Sequence, residues 1–166
     1  MRTSFAITMI VFAALHSAAA YERVSAPDGL LEAFTTAKEP DSTGMKLFVH
    51  HRRSSAPAVL LLQNDRWIDA KWSPDSRFLA VIDHFDGHIA DVYVFGITAP
   101  NPGGPPIATL FYHTPELRTY DVQWDVVDWL LNARSIILKK NVHFGSRQET
   151  IVERIGTTPL KAPHPE

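Results

Sequence analysis

Asp83-His84-Phe85-Asp86-Gly87-His88 is the densest group of side chains able to do chemistry. Asp83, His84, Asp86 and His88 offer two carboxylates and two imidazoles within six residues. Nitrogen and oxygen donors of this kind suit zinc or another divalent ion. A bound ion could activate water, so one reading is a small metal-dependent hydrolase. The same residues also read as a hairpin. Asp-Gly accepts the positive φ of a tight turn, and alternate strand side chains face opposite sides, so all four groups cannot converge. His50-His51-Arg52-Arg53 is a second cluster. Its forked guanidinium donors could hold a phosphate or carboxylate, and the run reads equally as a solvated strand end.

Other chemistries lack their signatures. There is no Gly-x-Ser-x-Gly elbow for a serine nucleophile. Gly103-Gly104 sits among prolines and opens no helix, which a phosphate-binding loop would require. The acidic residues are too scattered to nominate a glycosidase pair. With no cysteine in the chain, disulfides, thiolate metal sites and a cysteine nucleophile are excluded. No cofactor is expected. A formal net charge of −2 gives no electrostatic footprint for nucleic acid or an anionic membrane.

The elements that would position these groups are strands. Residues 45–50, 58–62, 77–82, 90–95, 107–112, 120–124, 135–138 and 150–155 are short apolar or alternating runs, separated by Gly, Pro, Asn and Asp. Such runs predict an antiparallel all-β domain. No window sustains the helical apolar period. Val126 to Leu131 is ambiguous, because Asp125 could cap a short helical turn there. Lys139-Lys140 reads as a charged strand end.

The first twenty residues read differently. One arginine, an apolar run from Phe5 to Leu15 and the ending Ala18-Ala19-Ala20 match a secretory leader, and the run is too short to span a bilayer. The expected organisation is a signal peptide over 1–20, a β domain over 21–156 and a flexible proline-rich tail over 157–166. The product is expected in a periplasm or outside the cell, with no membrane span.

A repeat runs through the β domain. Trp72-Ser73-Pro74-Asp75 and the strand after it align with Trp129 to Leu138, 57 residues on. Pro27-Asp28 aligns with Pro74-Asp75, 47 residues earlier, in a copy without the tryptophan. Proline presets φ for the turn, and aspartate accepts hydrogen bonds from the turn backbone. Tryptophan supplies a large apolar face to a neighbouring sheet. These motif residues are read as structural.

The motif resembles the WD40-like repeat of TolB-type β-propellers, with Ser76 in place of the usual glycine. The resemblance implies blade-like sheets and a surface that binds proteins or small ligands. Blades take roughly 40–45 residues and closed rings need at least four, so this chain is expected to form an open stack of about three small sheets. Capped end sheets would leave a monomer, whereas a homodimer would close a six-bladed ring. The expected function is an exported, non-catalytic binding module. The alternatives are the metal-dependent hydrolase and a structural subunit of an envelope assembly.

Overall fold

The computed structural model describes residues 22–37, 44–85, 89–99, 104–114, 122–130, 134–142, 147–156 and 158–160. The expected leader lies outside them, as do Asp86, Gly87 and His88. All regular elements among the described residues are strands, arranged as three consecutive antiparallel meanders. The first comprises β1 (Arg23–Ser25), β2 (Leu31–Ala37), β3 (Met45–His51) and β4 (Val59–Asn64). The second comprises β5 (Ile68–Trp72), β6 (Phe78–His84), β7 (Ala90–Thr98) and β8 (Ile107–His113). The third comprises β9 (Val122–Trp129), β10 (Ser135–Val142) and β11 (Arg147–Arg154). The second and third are not separate sheets: a parallel bridge between Ala90 and Gln123 joins β7 to β9.

The second meander is the middle layer, and its strands show why. Side chains alternate across a strand, so β6 serves two cores. Leu79 and Val81 enter a core shared with Leu31, Ala33, Leu47 and Val49 of the first meander. Phe78 and Ala80 enter a second core with Trp124, Val126, Trp129, Ile136 and Leu138 of the third. A strand buried on both faces needs a continuous apolar run, and Phe78-Leu79-Ala80-Val81-Ile82 supplies one. Each fully buried Leu or Val of this kind contributes about 1.5–3 kcal/mol through burial.

The repeat is written into the backbone. Ala26, Ser73 and Leu130 each donate an N–H to the carbonyl five residues on, in Leu31, Phe78 and Ser135, at 2.9, 2.8 and 2.9 Å. The N–H groups of Arg52, Ile97 and Ile155 likewise reach the carbonyls of Leu30, Arg77 and Arg134 at 2.9, 2.8 and 2.8 Å. The third copy keeps this frame without Ser-Pro, so the spacing survives where the turn residues do not.

Two indoles tie the layers together. Trp72 Nε1 donates to the Val24 carbonyl at 2.9 Å, and Trp129 Nε1 to the Lys71 carbonyl at 3.3 Å. Both acceptors immediately precede the tryptophan position of the preceding repeat, which Ser25 and Trp72 occupy. Ser73 Oγ donates to Asp75 Oδ1 at 2.7 Å and accepts the Phe78 N–H at 2.9 Å. The Asp28 carboxylate accepts the Leu30 N–H, and that of Asp75 the Arg77 N–H, at 2.9 and 3.2 Å. Ser76 adopts φ 61° and Gly29 φ 70°, so serine holds the left-handed position that glycine fills in the first copy.

Two local expectations change. No helical turn follows Asp125, because β9 continues to Trp129 and pairs with β10 past an irregularity opposite Ile137/Leu138. Lys139 and Lys140 lie within β10 rather than at its end, and the Lys140 ammonium sits 5.4 Å over the Trp124 ring. In the tail, the Leu160 N–H returns to the Leu110 carbonyl of β8 at 2.7 Å.

Candidate functional site

Several polar side chains gather where β4 and β6 end and β5 and β7 begin. Asp83 and His84 are neighbours on β6, so they face opposite sides of the sheet. Asp83 faces the first meander. Asn64, at the end of β4, donates its amide to Asp83 Oδ1 and also to the His84 carbonyl, the latter at 2.9 Å. Directly across the sheet from Asp83 is Asp91, the first charged residue of β7. Both carboxylates are buried, at 3% and 4% exposure. Thr114 Oγ1 lies 3.4 Å from Asp91 Oδ1, and His113 Nε2 lies 3.6 Å from Asp91 Oδ2. The His113 ring stacks on Tyr93 with centroids 4.2 Å apart. Burial pushes the Asp83 carboxyl up to about 6; the Asn64 hydrogen bond opposes the rise and the Asp91 charge adds to it.

His84 faces the other side. Its Nε2 meets Asp69 Oδ2 of β5 at 2.9 Å, and its ring stacks on Trp67 with centroids 4.6 Å apart. Trp67 is 41% exposed. The Asp69 side chain is half exposed. Burial, then the charge of Asp69, raise the Glu22 carboxyl. An indole face open to solvent, backed by a buried ring and flanked by a carboxylate, can stack on the apolar face of a ligand and accept its hydrogen bonds.

Among the described residues, no group of three or more His, Asp or Glu side chains is placed to hold a metal ion. Of the cluster Asp83, His84, Asp86 and His88, the first two diverge and the last two lie outside the described residues. The basic run is divided as well. His50 Nε2 donates to Glu32 Oε2 at 3.1 Å, and Arg52 Nε lies 3.8 Å from Glu32 Oε1. Arg23 Nη1 donates to Glu32 Oε2 at 2.6 Å. The Arg53 N–H bonds His51 Nδ1 at 3.3 Å. Burial alone would raise the Glu32 carboxyl, but hydrogen bonds from His50 and Arg23 outweigh it and lower it. The motif residues Trp72, Ser73, Pro74, Asp75, Pro27, Asp28 and Trp129 lie at the turns and layer contacts already described.

Asn64, Asp69, Asp91 and His113 carry no site reading in the sequence, and Trp67 carries one only as one of nine aromatics, alternating with polar residues, that could stack on a sugar or serve as a half-buried ladder. One signal for Asp91 was present: Asp83 and Asp91 are equidistant from Gly87, and an antiparallel hairpin pairs such residues.

No protein-family model matches the chain, and no curated protein matches it. Among solved structures, it is similar to the β-propeller domain of the Trilobed protease from Pyrococcus furiosus, with a TM-score of 0.49 and 16% identity. The similarity covers 81% of this chain and 44% of that one, so this chain spans less than half of that chain's length.

Proposed function

We propose that the chain is an exported, non-catalytic binding module that takes a protein or small ligand at the strand edge where Trp67 lies, between the first and second meanders. The observation that carries this reading is the exposed Trp67 indole, held flat on the buried His84 ring beside the half-exposed Asp69 carboxylate. The other tryptophans, at 72, 124 and 129, are buried in the layer contacts, which leaves Trp67 for recognition. The Trp-Ser-Pro-Asp repeat supports a relationship to TolB-type modules. The apolar run ending at Ala18-Ala19-Ala20 supports export. Polar outer faces on the first and third meanders support a monomer rather than a homodimeric ring.

Ligand-induced NMR shifts test the reading. The protein is titrated with a panel of mono- and disaccharides, amino acids and short peptides. A binding ligand is expected to move the Trp67 indole and Asp69 signals, and Trp67→Ala is expected to weaken it by roughly two- to tenfold, one stacked ring's worth. Shifts confined to the far side of the third meander would sink the assignment. Export is checked by N-terminal mass analysis: a mature chain starting at Tyr21 is expected outside the cytoplasm, and a chain retained there from Met1 would remove it.

A further inference from the structure

We propose that Asp83 and Asp91 form a proton-operated latch at the seam between the first and second meanders: the facing carboxyls share one proton, and its loss loads the seam with two buried like charges. The repeat provides an internal control. The same cross-strand position is Thr36 opposite Lys46 in the first meander and Lys140 opposite Glu149 in the third. The fold therefore accepts a complementary pair here. Only in the second meander, where the first meander covers the position, do two acids face each other.

Every group facing the pair bears on the proton. From β4, the neutral Asn64 amide bonds Asp83 and ties it to the first meander. From the end of β8, Thr114 offers a hydroxyl to Asp91. His113 lies beyond hydrogen-bond distance from Asp91, and its buried Nε2 has no hydrogen-bond partner among the described residues. His84 adjoins Asp83 but is turned to the other face, where Asp69 holds it. Two carboxylates at low exposure without a fixed cation between them cannot both ionise cheaply, so one retains a proton well above the usual carboxylate range. The rise of Asp83 to about 6 agrees with this geometry.

The sign follows from linkage. A carboxyl raised in the folded state binds its proton more tightly there than in the unfolded chain. The stability it contributes is present at low pH and is lost as pH rises through the folded value. The seam is therefore firm in mildly acidic solution and loosened near neutrality. A device of this kind would make ligand access or partner exchange at the adjoining edge respond to the acidity of the surroundings.

The experiment compares urea unfolding of the whole protein at about pH 5 and about pH 7.5 for wild type, Asp83→Asn and His113→Gln. Asparagine keeps the shape and the acceptor of a protonated aspartate. Relative to Asp83→Asn, the wild-type folding constant is expected to fall roughly tenfold between the two conditions, the share of a raised carboxyl that lies in this window. His113→Gln is expected to keep that fall. An unchanged ratio, or a fall present in Asp83→Asn and abolished in His113→Gln, would overturn the latch, because the proton would then sit on the imidazole. Carboxyl ¹³C titration of the wild type stands independently of whether the variants fold. One of the two carboxyls titrating near pH 6 supports the proposal, and both titrating below about 4.5 would overturn it.

Discussion

The outer face of the first meander and the corresponding face of the second have the same backbone and opposite chemistry. Where the second meander turns Ala70, Trp72, Leu79, Val81, Phe95 and Ile97 toward its neighbour, the first presents Arg23, Ser25, Glu32, Phe34, His50 and Arg52. The covered face is aliphatic and aromatic. The uncovered face is a web in which Glu32 accepts from Arg23 and His50, while Arg23 lies 5.4 Å over the Phe34 ring and Phe34 stacks on Phe48 at 5.5 Å. Repeats bury their faces against neighbours, so a terminal repeat must make its free face soluble. The first meander does this by exchanging apolar residues for charged ones that satisfy each other. It also lacks the tryptophan whose indole would reach back to a preceding repeat. The third meander shows the same economy on its far side, where Asp125, Lys139, Asn141 and Thr150 surround Ile137 and the exposed Val152.

Exchanging residues between the two faces is the strongest way to break this comparison. Leu79→Glu places a carboxylate where exposure is zero, among the apolar side chains of the first core. A cost of roughly 3–5 kcal/mol is expected, enough to abolish cooperative urea unfolding in a marginal domain. The reciprocal Glu32→Leu is expected to fold and to self-associate in light scattering, because it widens the apolar patch around the half-buried Phe34 and Phe48. Equal tolerance of both exchanges would show that the faces are not distinguished by what covers them.

Trp72→Ala comes next. It removes a buried indole and leaves the Val24 carbonyl without its donor. Losses for large buried aromatics are about 3–5 kcal/mol, and a loss in that range is expected here. Trp129→Ala is expected to cost somewhat less on the hydrogen-bond side, its contact being longer. Unfolding midpoints that rank the other way would deny the indole bonds a part in holding the layers.

Much of this architecture is legible in the sequence. The middle strand of the second meander, its antiparallel pairing with β7, and the three-repeat frame follow from apolar runs and turn residues whose physics is local. β5 is legible only through the repeat. Ile68-Asp69-Ala70-Lys71-Trp72 has apolar residues at both ends and charges between, and it reads as a polar-aromatic strand because it leads into the Ser-Pro-Asp turn. The continuation of β9 was masked by Asp125, a good helix cap in isolation that tertiary pairing overrides. The polar site was least legible. Its members come from five strands and connections, and their meeting depends on how two meanders stack. Local spacing drew attention to His84 beside Asp83, but pleating sends those two apart and pairs Asp83 with Asp91 instead.

Glu32 gives a smaller and pH-dependent effect. Its folded carboxyl is lowered, so its contribution is fully present above its ordinary value of 4.5 and is lost as pH falls through the folded value. Arg23 is more than half exposed, so solvent screens part of the interaction. Glu32→Gln is expected to cost about 1 kcal/mol near neutral pH and progressively less under acid conditions. Urea midpoints at several pH values check this. A cost that persists unchanged in acid would mean that Glu32 acts through shape and not charge.

The smallest effect lies at the paired turns, and its sign tells how the two repeats meet. Gly29 and Ser76 occupy equivalent left-handed positions. An added Cβ at Gly29 meets nothing within 4 Å, so Gly29→Ala carries only the conformational cost of about 1 kcal/mol. Ser76→Gly relieves a similar cost in the second copy. It also removes Ser76 Oγ, which accepts the Asp28 N–H at 3.0 Å and joins one turn to the other. That hydrogen bond is worth about 0.5–1.5 kcal/mol, so the two changes nearly cancel and the midpoint is expected to move by less than about 0.5 kcal/mol. A stabilisation in Ser76→Gly as large as the loss in Gly29→Ala would mean that the bond between the turns contributes nothing, and that serine at this position is tolerated rather than used.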